Sequence, residues 1–296
     1  MSIKNVTVLG AGVLGAQIAY RAAYAGFNVI SYDINDDALN AAQQRFDSIT
    51  KVYRDNVSDA DDAKLQYTQN RLTLSKDLEQ AVSKADLIIE AVPEKLDLKK
   101  QVWETVGKAA PNHAIFTTNT STLLPSEFAE ASGDPKRFLA LHFANDIWKH
   151  RAVEVMGTNE TDPAIIDTVY QFAEDMDMLP VKLHKEHAGY IINSLLVPLL
   201  DAASHLYADG VAEPQDIDRV WRQATGTPTG PFQIMDTVGL RTVHAIHAAK
   251  AEKDNDPIGK KFAELLKQDY LDKGKFGKES HSGFYDYDEN GNLIGK

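Results

Sequence analysis

The sequence predicts an α/β fold in which a doubly wound parallel sheet over residues 1–185 is followed by a smaller all-helical domain over residues 186–296. Three observations carry that expectation. Short apolar strands alternate with helical stretches through the first part, a glycine-rich turn joins the first strand to the first helix, and strand signals stop after about Lys185. At 296 residues, 43% of them hydrophobic, the chain can fill two ordinary cores.

Taken in order, Val6 to Leu9 is the first strand, and a helix follows from Gly15. Asn28 to Tyr32, Leu87 to Ala91, Ala114 to Thr118, Leu139 to His142, Val153 to Met156 and Leu179 to Leu183 continue the strands. A helical region opens at about Asp37. The charged stretch from Ala42 to Leu72 is long for one crossover and reads as an extra helix pair standing off the sheet. Helical periodicity then runs from Gly189 to about Ala208, interrupted by Pro198. Its apolar run, Ala188 to Leu200, is too short to span a bilayer and reads as a buried core helix. Glu213, Pro214 and Asp218 mark a helix start, because proline suits the first turn and acids complement its dipole. Further helices are expected over Pro231 to Lys250 and Pro257 to Lys273. The tail from Lys275, with Gly277, Gly283, Gly291 and Gly295, reads as loop.

A formal net charge of -12 repels phosphate polymers and anionic lipid, so neither nucleic acid nor a membrane surface is an expected partner. The chain has no cysteine, which removes disulfides, thiolate nucleophiles and thiolate metal sites together. No metal site is expected. The first residues lack a basic segment leading into a long hydrophobic run, so a cytoplasmic location without a signal peptide is expected.

Gly10, Ala11, Gly12, Val13, Leu14 and Gly15 form GxGxxG directly between strand and helix. The first glycine permits the tight turn, the second lets backbone approach a pyrophosphate, and the third lets helix and strand pack closely. The helix start then offers free amides to phosphate. Asp33 lies 18 residues beyond Gly15, at the end of the second strand, where a carboxylate meets ribose hydroxyls and repels the extra phosphate of NADP. The expected cofactor is therefore NAD on a Rossmann-type sheet. The competing reading makes Asp33 a loop acid capping the next helix.

His142 closes its strand at a carboxyl end, where ligand crevices of open α/β sheets lie, and its pKa suits an alcohol's proton. Taken alone it is more often a structural histidine. Glu154, 12 residues later between two valines, needs a partner if buried. Bonded to His142 it would fix the imidazole tautomer and raise its basicity; otherwise it reaches solvent. Asn193 interrupts an apolar helix as an amide that must find partners, either in an interdomain cleft or between two helices. Ser121 follows the strand Ala114 to Thr118 and either reaches the same crevice or serves as a turn or cap serine.

The segments GAGVLG with Asp33, EAVPEKLDLK, NTST, LHFAN, VEVM, AGYIINSLLVPLLDAA, TPTGPFQIMDTVGL and FGKESHSGFY resemble, in order, the short-chain-length 3-hydroxyacyl-CoA dehydrogenases. The resemblance covers nearly the whole chain. It implies His142 as general base, Glu154 as its orienting partner, and Ser121 and Asn193 as donors to substrate oxygen. It further implies cofactor contacts from Ala91, Glu94, Lys99, Asn119 and Asn145, an acyl-CoA substrate, and a homodimer made through the helical domain. The chemistry implied is transfer of a hydride from a carbinol carbon to nicotinamide as His142 takes the hydroxyl proton.

The chain departs from the family pattern where proline has become Asp146, where Trp148 and Arg151 fill the following segment, and where arginine has become Ser194. Around the segment expected to dock coenzyme A, Arg45, Lys51 and Arg54 stand among Asp47, Asp55, Asp59, Asp61 and Asp62, a weak phosphate site. The first alternative is accordingly a dehydrogenase of a CoA-free hydroxy acid or sugar acid. The second is a cofactor-binding protein without turnover.

Overall fold

Residues 3–289 and 291–294 are described by a computed structural model of the chain, in which one unit ends at Ile191 and a second begins at Ile192. In the first unit, β1 (Asn5–Leu9) runs through the glycine turn into α1 (Val13–Tyr24), and β2 (Asn28–Tyr32) follows. The helix pair α2 (Asp36–Asn56) and α3 (Asp62–Gln69) leads to β3 (Leu72–Ser75) and the short α4 (Leu78–Val82). Next come β4 (Leu87–Glu90), α5 (Leu96–Ala109), β5 (Ile115–Thr118), β6 (Phe138–Phe143), β7 (Ala152–Gly157), α6 (Pro163–Asp175) and β8 (Leu179–Leu183). The eight strands stand in the order β3-β2-β1-β4-β5-β6-β7-β8. Alternation along the strands loads both faces: Val8, Ile89 and Leu141 belong to one apolar layer, Leu9, Ile88 and Phe138 to the other.

One pair departs from the expected parallel sheet: β6 and β7 are antiparallel, whereas every other pair of neighbours is parallel. The connection from Ala144 to Arg151 is too short for the crossover that parallel strands require, so the chain turns straight back. The register that results sets His142 directly opposite Glu154.

The helix pair packs chiefly on α1. Phe46, Ile49, Thr50 and Tyr53 form a buried stripe on α2, and Tyr53 lies 4.8 Å from the Tyr20 ring of α1 and 4.9 Å from Tyr24. The many acids of this segment occupy the other face, which hid the stripe in the composition. Strand β3 was absent from the sequence reading because a four-residue edge strand, LTLS, carries little periodicity.

The second unit contains α7 (Tyr190–Ala208, which opens in the last residues of the first unit), α8 (Pro214–Thr225), α9 (Pro231–Val238), α10 (Leu240–Lys253) and α11 (Pro257–Asp269) around Phe232, Met235, Leu240, Phe262 and Leu266. Proline at position 198 does not interrupt α7. The single helix expected from Pro231 to Lys250 is broken at Gly239, whose φ of +94° suits glycine alone. The expected buried core helix is also corrected. At 19 residues α7 is long and apolar enough by length and composition to cross a membrane, yet only 17% of its apolar window is buried, with Leu195 69% exposed.

The tail is more ordered than a loop, with a small antiparallel pair, β9 (Asp286–Tyr287) and β10 (Leu293–Ile294). Buried Asp236 anchors it by accepting from the amides of Phe284 and Tyr285 and the Tyr287 hydroxyl. Gly295 lies outside the described residues.

Candidate active site

Gly10 leaves β1 with φ +97°, and its amide donates to the Tyr32 carbonyl at 2.8 Å. A Cβ there would lie 2.6 Å from the Ala91 carbonyl oxygen, and one at Gly15 would lie 1.9 Å from the Gly10 oxygen. Both glycines are therefore forced by close backbone approach. Gly12 differs, since a Cβ there meets nothing within 4 Å. It precedes the first turn of α1, which has no side-chain cap, and Val13 beside it is 65% exposed while Leu14 is half-buried. Open space in front of uncapped helix amides fits a pyrophosphate.

Asp33 stands over this turn, its carboxylate accepting from Ala11 N at 2.9 Å and Ile34 N at 2.8 Å. The cap of α2 is Asn35, which accepts from Ala38 N. Arg45, one of the cations of the segment expected to dock coenzyme A, donates from Nη1 to the Ala11 carbonyl at 3.2 Å.

On the neighbouring strands, His142 and Glu154 are each 6% exposed. His142 Nδ1 lies 3.0 Å from Glu154 Oε2, and its Nε2 lies 3.2 Å from Ser121 Oγ. The other Glu154 oxygen accepts from Ile191 N at 2.8 Å. With the carboxylate holding a proton on Nδ1, the Nε2 lone pair faces Ser121.

The loop that carries Ser121 is gripped by Glu94, which is paired to the buried Lys99 and, through it, to buried Glu90. Glu94 Oε1 accepts from Thr120 Oγ1 at 2.5 Å, Ser121 N at 2.9 Å and Thr122 N at 2.8 Å. Lys99, 1% exposed, reaches Glu90 at 2.7 Å and Glu94 at 3.1 Å, and the Thr118 hydroxyl donates to Glu90 at 2.8 Å. Burial alone would raise the Glu94 carboxyl, but the Thr120 hydroxyl, the Lys99 ammonium and the Thr122 amide together bring it down to about 2. Asn119 ties the loop to β6 by accepting from Phe143 N at 2.8 Å. Glu94 and Lys99 thus meet each other beside the Ser121 loop, while Ala91 lines the glycine turn through its main chain.

Asn145 is exposed at the end of β6. Asp146 beside it adopts φ +61°, and its amide donates to Gln17 Oε1 at 2.8 Å, a conformation and a bond that proline cannot supply. Trp148 packs edge-on against Tyr53 at 6.4 Å, and Arg151 pairs with Asp177 at 2.8 Å. Asn193 belongs to the second unit and is half-exposed on α7, not buried. Glu90 and Gln17 escaped the sequence reading. Glu90 had a visible signal, an acid closing an otherwise apolar strand, nine residues before a lysine.

Two family models divide the chain: the 3-hydroxyacyl-CoA dehydrogenase NAD binding domain matches residues 5–187, and the 3-hydroxyacyl-CoA dehydrogenase C-terminal domain matches residues 189–287. The mitochondrial hydroxyacyl-coenzyme A dehydrogenase of Sus scrofa is 34% identical, covering 96% of this chain and 91% of its own. A probable 3-hydroxybutyryl-CoA dehydrogenase of Bacillus subtilis is 33% identical over 98% of this chain and 99% of its own. Among solved structures, a diketoreductase described as a catalyst of dicarbonyl compounds superposes with a TM-score of 0.92 at 50% identity, covering 97% of this chain and 100% of that one. The (S)-3-hydroxybutyryl-CoA dehydrogenase of Ralstonia eutropha gives 0.82 at 25% identity, with 97% and 100% covered.

Proposed function

Since the chain belongs to the 3-hydroxyacyl-CoA dehydrogenase family, we propose that it interconverts a secondary alcohol and a ketone with NAD, on a short 3-hydroxyacyl skeleton. The observation that carries the reaction is the contact of His142 with Glu154 on one side and Ser121 on the other. NAD, when bound at the glycine turn with its ribose on Asp33, supplies the hydride acceptor for alcohol oxidation. In that direction His142 Nε2 takes the hydroxyl proton, and Glu154 stabilises the imidazolium that forms. Ser121 donates to the substrate oxygen. The family resemblance gives Asn193 the same task.

The substrate of the family is a CoA thioester, and a short 3-hydroxyacyl-CoA is the first reading. A second reading, a CoA-free dicarbonyl or hydroxy compound, is favoured by specific observations. The diketoreductase shares half of the sequence over its full length. Asp177 engages Arg151, and α2 and α3 carry more acids than bases, so few cations are free for coenzyme A phosphates. NADH oxidation measured in parallel with acetoacetyl-CoA, longer 3-ketoacyl-CoA esters, free acetoacetate, sugar-derived keto acids and a CoA-free diketo ester separates the readings. Turnover confined to the CoA-free ketones overturns the first; turnover confined to the thioesters overturns the second.

The second unit is proposed to join two copies of the chain. Leu206, Val211 and Val220, 44%, 63% and 69% exposed, line an apolar groove between α7 and α8 that a second copy would cover.

A further inference from the structure

Tyr190 has no part in the reaction described above, yet it holds a conformation that tyrosine rarely takes. Its φ is +55°, directly after Gly189 at +83°, and its ring is 1% exposed. That ring lies flat on the His142 imidazole, with centroids 4.2 Å apart and planes 9° from parallel. The left-handed backbone also aims the next amide, Ile191 N, at the Glu154 oxygen that His142 does not use. One strained residue therefore closes the pair from two directions. A non-glycine residue is kept in this region only where its surroundings over-determine it.

We propose that Tyr190 is a positioning residue for the His142–Glu154 pair: its ring blocks rotation of the imidazole, and its backbone delivers an amide to the carboxylate. Glu154 and Ser121 hold the two ring nitrogens but leave the ring free to tilt about the line joining them. The flat aromatic face removes that tilt. Burial, with the nearby charges of Glu94 and Glu154, keeps the phenol protonated, so the face stays neutral while the imidazole changes charge. This inference rests on the general-base role proposed for His142.

The test compares Tyr190→Phe, Tyr190→Leu and Tyr190→Gly using the ketone turned over fastest in the substrate panel. Tyr190→Phe keeps the ring and should stay within about threefold of the parent kcat, whereas Tyr190→Leu should lose roughly 10- to 100-fold with the KM for NADH unchanged. Tyr190→Gly accepts the backbone conformation without strain, so its loss of rate measures the missing ring even if the leucine variant folds poorly. In a Glu154→Gln background the Tyr190→Leu cost should shrink to about threefold or less, because both changes act through one imidazole. Rates for Tyr190→Leu and Tyr190→Gly within threefold of the parent, or losses that add fully to that of Glu154→Gln, overturn the positioning role. A His142→Gln variant run beside them separates the two failures. If it retains turnover, the general-base reading falls and this inference falls with it; if it is dead while the Tyr190 variants are unaffected, the positioning role alone is wrong.

Discussion

A glutamate 6% exposed between apolar neighbours is a costly residue unless its charge is met, and Glu154 meets an imidazole nitrogen and a backbone amide. Replacing His142 by glutamine should collapse turnover while leaving NADH binding nearly unchanged, as read by fluorescence titration. Glu154→Gln should cost roughly 10²-fold in kcat, since the imidazole remains but its cation loses a charged partner. Full activity in Glu154→Gln, with an unmoved pH profile, would sink the pair. Glu94 makes a separate, pH-dependent prediction. Its carboxyl, ordinarily near 4.5, sits at about 2 in the folded protein, so its contribution is complete above 4.5 and is lost as pH falls toward 2. Thermal midpoints taken from pH 5 down to 2 should fall less steeply for Glu94→Gln than for the parent. Parallel curves would count against the loop clamp.

At the scale of elements, the turn between β6 and β7 departs from the pattern that the family resemblance implies. Gln17 on α1 accepts from the amides of Asp146 and Ile147, tying the helix of the cofactor turn to the end of the histidine strand. Asp146→Pro, which restores the residue that the family resemblance implies, loses a part-buried hydrogen bond and cannot reach φ +61°, so it should destabilise by about 2 kcal/mol. Asp146→Gly keeps both and should be neutral or stabilising by up to about 1 kcal/mol, because glycine takes the left-handed conformation freely. Chemical denaturation of the two variants checks the sign. A proline variant as stable as the parent would mean that the turn can rearrange at no cost.

For the molecule as a whole, surface apolar area and net charge pull in different directions. A net charge of -12 favours separate chains, whereas Leu206, Val211 and Val220 leave an apolar groove open to a partner. Light scattering coupled to size exclusion should give twice the chain mass, and Val220→Asp should return it to one. Because Val220 is 69% exposed, that change should leave the melting of an isolated chain almost untouched. A parent that elutes as a single chain would remove the pairing proposal.

What the sequence determined by itself was local or ordered along the chain. The strand and helix alternation set the fold class, GAGVLG with Asp33 indicated NAD, and the succession of motifs indicated the family, since each depends on spacing between near neighbours. Tertiary structure decided whatever depends on residues distant in sequence or on backbone angles. The reversal at β7 that pairs His142 with Glu154, the left-handed turns at Asp146 and Tyr190, and the clasp of Asp236 on the tail leave no periodic trace. The outward apolar side of α7 had no trace either, because periodicity shows that a face is apolar but not what covers it. The grip of Glu94 on the Ser121 loop arises in the same way: the carboxylate and the Ser121 amide, 27 residues apart, meet only once the sheet has brought β4 and β5 side by side.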